Sequence, residues 1–388
     1  MKATRLLATT LALLTTGLTA LAADPWPAES NAEADDIGGG LTGFEPSGTV
    51  WHPGLNQLLV VDDGGGLARL DIDGTNVTRW DGIGGDFEGV TYADAASDLV
   101  YVGQENYPTI LEVNRNTGAV GKTWLLNEMA TGGTNSRLEA LTFLPDEFCG
   151  NTTEQGGGLY NAGEGSQYGA GGLFLAGHQG DGKIYAYDVD LATSGVRTFV
   201  NSFGPYTDGS TLTDLSGLDL HRASGVLFAV WDGPNTIAAL DVSIVGFQIT
   251  QAWSFPAGSD NEEGVALVDD GCPEGLSRIV IAEDPESTHD VWVYDEFPVI
   301  CPCPNPGVSG NYCAADVYPN DGDGTWNYDD DGDCVIDLSD LGELLPNYGM
   351  TSGATREQGD VYPPGTGDGA VDMSDLGELL AQYGDDCN

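Results

Sequence analysis

Lysine is almost missing from this sequence: Lys2, Lys122 and Lys183 are the whole supply. Together with arginine the bases number 12, against 61 acids, for a formal charge of −49. A chain this negative repels phosphate backbones and anionic lipid, which argues against nucleic-acid partners and favours small cations. Two origins fit such a surface: a salty medium whose counter-ions screen self-repulsion, and simple acidic drift of an extracellular face. Cysteine is scarce and odd in number, at Cys149, Cys272, Cys301, Cys303, Cys313, Cys334 and Cys387. Cys301 and Cys303 stand one residue apart, too close for a usual zinc pair. No G-x-S-x-G elbow, Walker loop, H-E-x-x-H or C-x-x-C occurs. The common signatures of serine hydrolases, nucleotide hydrolases, zinc proteases and dithiol redox proteins are therefore absent. After the first residues no apolar run is long enough for a transmembrane helix.

The N-terminus does carry a signal. Lys2 and Arg5 precede the apolar "LLATTLALLTTGLTALA", and Ala20-Leu21-Ala22 is an A-x-A cleavage site. Residues 1–22 read as a signal peptide, so export is expected, whether to the medium, the periplasm or the cell surface. Exported cysteines usually pair, and an odd count leaves one free, intermolecular or disordered. Five of the seven follow residue 300, so disulfides are expected to staple the C-terminal region, with connectivity open.

Residues 23–44 read as an extended lead-in rich in Pro, Gly and acids. A pattern then recurs, opening at Ser47 ("SGTVWHPGLNQLLVVDDGGGLARLDIDG"), Glu88 ("EGVTYADAASDLVYVGQENYPTILEVNRNTG"), Glu139 ("EALTFLPDEFCG", then "GGLFLAGHQGDGKIYAYDVDLATSG"), Ser216 and Glu263. Each unit begins with Ser or Glu and a small residue. A polar turn, a β-branched run, a Gly/Asp/Asn loop and a third strand follow, with a fourth, edge-like strand in some units. Alternation and turn clusters mark strands, not helices. The openers are 41, 51, 77 and 47 residues apart. A four-stranded unit repeating at about 40–50 residues marks a β-propeller blade. The fold expected is mostly β: a five-bladed β-propeller over 45–298, closed by residues 30–44 or by the end of blade five. The long gap holds a glycine-rich stretch from Cys149 to Gly172, read as a loop inserted in blade three; a hidden sixth blade is the alternative.

These openers, with "LLVV"-type runs, Gly-rich turns and "LARLDIDG" third strands, resemble the SdiA-regulated (YjiK-like) propeller family. They are also similar to the wider group of esterase-like phytase, NHL and lactonase-type propellers. The resemblance covers about residues 40–298 and speaks to fold far more than to function.

Proline, glycine and cysteine dominate "PVICPCPNPGVSGNYC", so 299–312 reads as a linker before a small domain at 313–388. There "SDLGELL" is written twice behind aspartate runs. A twelve-residue Ca²⁺ loop supplies oxygens from positions 1, 3, 5, 7, 9 and 12. Counting from Asp329, those positions are Asp329, Asp331, Asp333, the carbonyl of Val335, Asp337 and Asp340, with apolar Ile336 at position 8. Leu338, Leu341, Leu344, Leu345 and Tyr348 then recur at helical spacing as one apolar face, and Gly349 is a stop. The second copy offers Asp368, Asp372 and Asp375 at positions 5, 9 and 12, Thr366 at 3, and Pro364 at 1, with Asp360 as a substitute ligand.

Such duplicated, EF-hand-like loop–helix units with Asp at position 12 closely resemble the dockerin type I repeat, in the form found as tails of exported bacterial proteins, notably from planctomycetes. The first loop departs in having Cys334 where Gly is usual, with Gly332 two residues before it. The resemblance implies calcium as the bound ion and a cohesin-like domain or cell-surface protein as partner. The partner-facing residues it implies are Leu338, Ser339, Met373 and Ser374; Leu338 and Met373 also fit an intramolecular core.

In a propeller the first strand of each blade lines the channel. Ser47, Glu88, Glu139, Ser216 and Glu263 are therefore expected to ring one mouth. Three carboxylates there can hold a cation or can accept hydrogen bonds from neighbouring blades. His52 and His221 sit beside turns and read as structural; His178 and His289 lie in loops that can face a ligand. Two functional readings stand. One is a non-catalytic exported calcium-binding protein with a recognition propeller and a docking tail. The alternative is a calcium-dependent extracellular hydrolase of esters, lactones or phosphoesters working at the propeller mouth. Whether the chain is an enzyme is left open at this point.

Overall fold

The computed structural model describes residues 23–30, 33–133, 136–148, 166–207, 211–242, 247–256, 261–268, 276–283, 291–299, 338–354, 359 and 369–382. The residues expected as a signal peptide, all seven cysteines, residues 300–312 of the expected linker, His289 and the expected calcium ligands Asp329, Asp331, Asp333, Val335, Asp337, Asp360, Thr366 and Asp368 lie outside them.

Five four-stranded antiparallel sheets follow one another along the chain. A two-residue strand, β1 (Asp35–Asp36), precedes blade one: β2 (Pro46–His52), β3 (Gln57–Asp62), β4 (Gly66–Leu70) and β5 (Thr78–Trp80). Blade two is β6 (Phe87–Thr91), β7 (Leu99–Gln104), β8 (Thr109–Asn114) and β9 (Val120–Leu125). Blade three is β10 (Leu138–Pro145), β11 (Gly172–His178), β12 (Lys183–Val189) and β13 (Arg197–Phe203). Blade four is β14 (Leu215–His221), β15 (Val226–Trp231), β16 (Thr236–Asp241) and β17 (Gln248–Ser254). Blade five has only β18 (Glu262–Val268), β19 (Leu276–Glu283) and β20 (Val291–Pro298) of its own. Its outer strand is β1, which pairs Asp35 with Val293 and Asp36 with Trp292. The chain is thus a five-bladed propeller, and the N-terminal segment closes it. The long spacing in blade three falls between β10 and β11, as an insertion within one blade.

The core is not one mass but a set of apolar seams between blades. Leu175, Leu218 and Leu227 join blades three and four; Ile237, Val265 and Ile281 join four and five. Val60, Ala266 and Val280 join five and one. That last seam is the one a closed ring requires. The scarce bases also work at seams. Arg69 of blade one donates to Asn116 of blade two at 3.1 Å. Arg115 of blade two meets the ring of His52 of blade one at 2.6 Å. Burial first, and then the Arg115 charge, lowers the His52 pKa to about 4, so that ring is neutral. Arg197 of blade three donates to the Leu125 carbonyl at 2.8 Å and pairs with Glu128 at 2.7 Å.

The lead-in does more than precede the ring. Asp24 forms a parallel bridge to β17, donating to Ala252 O and accepting from Ser254 N, both at 2.8 Å. Trp26 then lies against Phe255, Tyr294 and Phe297, at 5.2, 5.1 and 5.4 Å between ring centroids. One short segment therefore straps blade four to blade five. Replacing a half-buried aromatic anchor by alanine typically costs about 2 kcal/mol, below the full-burial range. Trp26→Ala is expected to lower the melting temperature by roughly 5 °C, read by differential scanning calorimetry. An unchanged melting temperature would show the strap to be dispensable.

Beyond the ring, α1 (Leu338–Asn347) and α2 (Met373–Gln382) form a small unit. Leu344, Val371 and Leu379 make its core. Gly349, at φ +97°, ends the α1 turn and donates to Val371 O at 2.8 Å, as a left-handed C-terminal glycine does. The single apolar face expected on α1 is divided. Leu344 is buried, but Leu345 and Tyr348 are 53% and 43% exposed, because only one strip of so short a helix meets its neighbour.

Candidate functional site

Every first strand carries a register irregularity at the same place. It falls between Pro46 and Thr49, Phe87 and Gly89, Leu138 and Ala140, Leu215 and Gly217, and Glu262 and Gly264. The residues left out of the ladder include Ser47, Glu88, Glu139, Ser216 and Glu263. A β-bulge frees one residue from pairing and re-aims its side chain. Here the bulge repeats around the axis and turns the five openers toward one mouth. The small residue after each opener lets the strands converge. A Cβ on Gly48 would stand 2.5 Å from Glu88 O, and one on Gly89 would stand 2.4 Å from Leu141 N.

The sequence-derived ring is therefore one spatial group. Ser47 Oγ donates to Glu88 Oε2. Ser216 Oγ donates to the carbonyl of Glu262 at 2.5 Å. Glu88, Ser216 and Glu263 line a space on the axis no larger than a water molecule or a bare ion. Glu88 and Glu139 are each 7% exposed, and Glu263 is half-buried.

Other carboxylates join them from loops. Asp63, which follows β3, hydrogen-bonds to Asp86 and Glu88. The carboxylate oxygens of these three lie within 4.8 Å of one another. Glu105, which follows β7, is hydrogen-bonded to Glu139. A main-chain belt holds these loops: Asp63 N donates to Glu45 O at 3.2 Å, Asp86 N to Asp63 O at 2.9 Å and Glu105 N to Asp86 O at 3.0 Å. The belt continues through Arg137 N to Glu105 Oε1 at 3.2 Å, Gln179 N to Arg137 O at 2.9 Å, and Asp214 N to Gln179 O at 3.0 Å. Asp86, Asp214 and Asn261 each precede a first strand with φ of +57°, +69° and +60°. Asp and Asn are the non-glycine residues that best tolerate this left-handed conformation.

The electrostatics follow from crowding. Burial, then the negative charges of Asp63, Glu263 and Asp86, lift Glu88 to about 9 against the hydrogen bond from Ser47. Burial, then the charge of Glu88 and the hydrogen bond with Glu105, lifts Glu139 in the same direction. The hydrogen bond with Asp86 and burial raise Asp63 to about 6. Packed this closely, the carboxyls hold protons or gather around a positive charge.

The remaining expected residues are placed as follows. His178 is 2% exposed, and its Nδ1 accepts from Asp181 N at 3.2 Å, so it caps a turn. His221 Nδ1 and Ser224 Oγ are 2.8 Å apart within a turn, which fits the structural role expected of it. In the helical unit Asp372 Oδ1 accepts from Ser374 N at 2.7 Å, and Asp375 Oδ2 accepts from Asp372 N at 2.8 Å. This reciprocal box caps α2 and fixes two of the expected ligands of the second loop. Met373 is 67% exposed and Ser374 is exposed, so neither is core. Leu345, expected on the apolar face of α1, and Leu380, not singled out from the sequence, are exposed at matching positions of the two helices, 53% and 55%.

No family model matches the chain, and no curated protein matches it. Solved structures do align with it. Glutaminyl cyclase of Myxococcus xanthus is 11% identical with a TM-score of 0.42, covering 68% of this chain and 94% of that one. The Cps50 (Swd1) β-propeller domain of Myceliophteria thermophila is 8% identical with a TM-score of 0.35, covering 64% and 70%. Likenesses this distant carry nothing about chemistry. The five bladed sheets of the chain itself define the architecture.

Proposed function

We propose that this chain is an exported calcium-binding protein in which a propeller recognition domain, organised around an axial cation, is attached by a dockerin-like tail to a cohesin-like or cell-surface partner. One observation carries the axial part: Glu88, Ser216 and Glu263 line an ion-sized space on the axis, with the almost fully buried Glu139 close enough to feel the charges of Glu88 and Glu263. Ca²⁺ takes six to eight oxygens. The three glutamates and the hydroxyls of Ser47 and Ser216 supply a hard, oxygen-only donor set that fits it. For the tail, support comes from the complete ligand pattern of Asp329, Asp331, Asp333, Val335, Asp337 and Asp340 in sequence. The exposure of Met373, Leu345 and Leu380 adds an apolar contact strip. The propeller's resemblance to the SdiA-regulated group and the A-x-A signal sequence support the family and the export.

A titration of the chelated full chain with Ca²⁺ separates the two sites. Glu88→Gln/Glu139→Gln/Glu263→Gln is expected to weaken the axial site by about 100-fold, or ~3 kcal/mol, and leave the tail intact. Asp329→Asn/Asp331→Asn/Asp333→Asn is expected to do the reverse. Heats unchanged by the glutamine variant would end the axial reading.

A hydrolase reading is favoured by one feature, the hydrogen-bonded Glu105–Glu139 pair, which holds a proton beside the cation position and so offers a general acid. Turnover of simple esters or phytate that vanishes in Glu139→Gln would support it. No turnover by the wild type would leave recognition as the role.

A further inference from the structure

Below the carboxylate ring the axis continues. Val50, Thr91, Thr142 and Asp219 stand three residues beyond the openers of blades one to four, about 10 Å along strands that rise about 3.3 Å per residue. They line a second axial space no larger than a water molecule. Its wall is tied blade to blade. Asp219 Oδ2 accepts from Leu267 N at 2.8 Å, and Thr142 Oγ1 accepts from Leu220 N at 3.3 Å.

Arg222 borders the far end of this space. It follows β14 of blade four and reaches across to blade two, just beyond β6, donating to Ala93 O at 3.4 Å and to Tyr92 O. Its guanidinium carbon sits 3.8 Å from the centroid of the Tyr92 ring and 5.7 Å from that of Phe143 in blade three. The face of an aromatic ring attracts a cation, so charge holds the group there together with its hydrogen bonds. The Tyr92 ring is backed in turn by His52 of blade one, at 4.7 Å between centroids. One side chain thus joins blades two and four, which are not neighbours, over rings drawn from three blades. A guanidinium keeps its charge at every working pH, and half-buried it is poorly screened by salt. The axis therefore carries glutamates at one end and a permanent positive charge at the other.

We infer that Arg222 makes the axial channel single-ended: a divalent cation held at the carboxylate ring enters and leaves by that mouth alone, because the guanidinium seals the far end by its bulk and repels the ion by its charge. The seal stands on the contacts of Arg222. That the traffic is a divalent cation rests on the axial site proposed above.

The two parts have separate tests. Amide hydrogen exchange on the chelated full chain reads the seal. Arg222→Met keeps an unbranched stem and removes the charge and the donors. It is expected to speed exchange at Leu220 and Leu267 N–H about tenfold while the amides of β8 keep the wild-type rate. Unchanged exchange at both positions overturns the seal, and faster exchange everywhere, β8 included, overturns it in favour of a general brace. Stopped-flow release of Ca²⁺ into chelator reads the traffic, in the phase that Glu88→Gln/Glu139→Gln/Glu263→Gln abolishes. A second exit raises entry and departure rates by one factor, so Arg222→Met is expected to release the ion about tenfold faster with Kd within about threefold. Arg222→Lys keeps the charge and is expected to release at close to the wild-type rate. A Kd that weakens in step with release, or an Arg222→Lys as fast as Arg222→Met, overturns the gate. Absence of that phase in the wild type would sink the axial-cation reading and the traffic with it, while hydrogen exchange still decides the seal.

Discussion

Gly264→Val is expected to abolish cooperative folding of the propeller. Even the first carbon of a side chain at this position would stand 2.3 Å from Ser47 O and 3.0 Å from Thr49 N. Both are backbone atoms of blade one, so no rotamer change relieves the clash. Gly264 lies in β18, at the seam where blade five meets blade one and the ring shuts. Relief would have to come from parting those two first strands, which would open the Ala266–Val280–Val60 seam along its length. Losses above about 4 kcal/mol are exceptional and come from this sort of enforced strain. Gly217→Ala is the control. The nearest atoms to its added carbon would be side-chain methyl and methine carbons of Val230 and Val265, at 3.2–3.3 Å. That variant is expected to unfold in denaturant with a loss of about 1 kcal/mol. Equal behaviour of the two variants would show that the close approach at the closing seam is not what limits the ring.

In metal-free protein, stability is expected to fall as pH rises from about 5 to about 9. Burial lifts Glu88 from 4.5 to about 9, so across that window the folded state keeps a proton that the unfolded chain has already lost. A carboxyl raised in this way stabilises the fold fully below its unfolded pKa, and that contribution disappears as pH climbs through the folded one. Glu139 acts with the same sign. Asp63 does too, but its window ends near 6. The slope reaches about 1.4 kcal/mol per pH unit for each proton held. Calcium should invert the trend, because the ion gathers the ionised forms. Scanning calorimetry at pH 5, 7 and 9, with chelator and with Ca²⁺, gives the readout. Glu88→Gln should flatten the metal-free slope. A chelated melting temperature that climbs with pH, or a slope indifferent to Glu88→Gln, would contradict this account.

Much of the architecture is legible before any coordinates, for a definite reason. A blade is a local object: four consecutive strands joined by short turns, so its grammar recurs at fixed spacing. The Ser/Glu-plus-small opener is visible as a repeat because the bulge and the close approach that follows it make the same local demand in all five blades. Ala140 at one of these positions is the only departure from glycine. Asp63, Asp86 and Glu105 are not legible as partners of the glutamates. They come from loops of different blades, and only the hydrogen-bonded belt brings them in. Arg222 is invisible for the same reason, since its partners at Tyr92 and Ala93 lie about 130 residues away. On α1 the heptad-like leucines suggest one continuous apolar face. With one small neighbour to cover them, Leu345 stays outside. A signal can nevertheless be drawn from the second copy, where Leu380 repeats the same exposed position.

The pairing of Asp35–Asp36 with β20 sets an order of events during biosynthesis. The earliest part of the ring to be made must wait, unpartnered, until the last blade has been translated some 250 residues later. Until then β1 has no strand to pair with and the seam between blades five and one is absent. Every shorter product, whether a stalled chain or one clipped ahead of Val291, therefore exposes bare strand edges and apolar seams that invite association. The two ends of the ring act as a check on completeness: only a chain that has reached its final blade can bury the surfaces that the first blade leaves open.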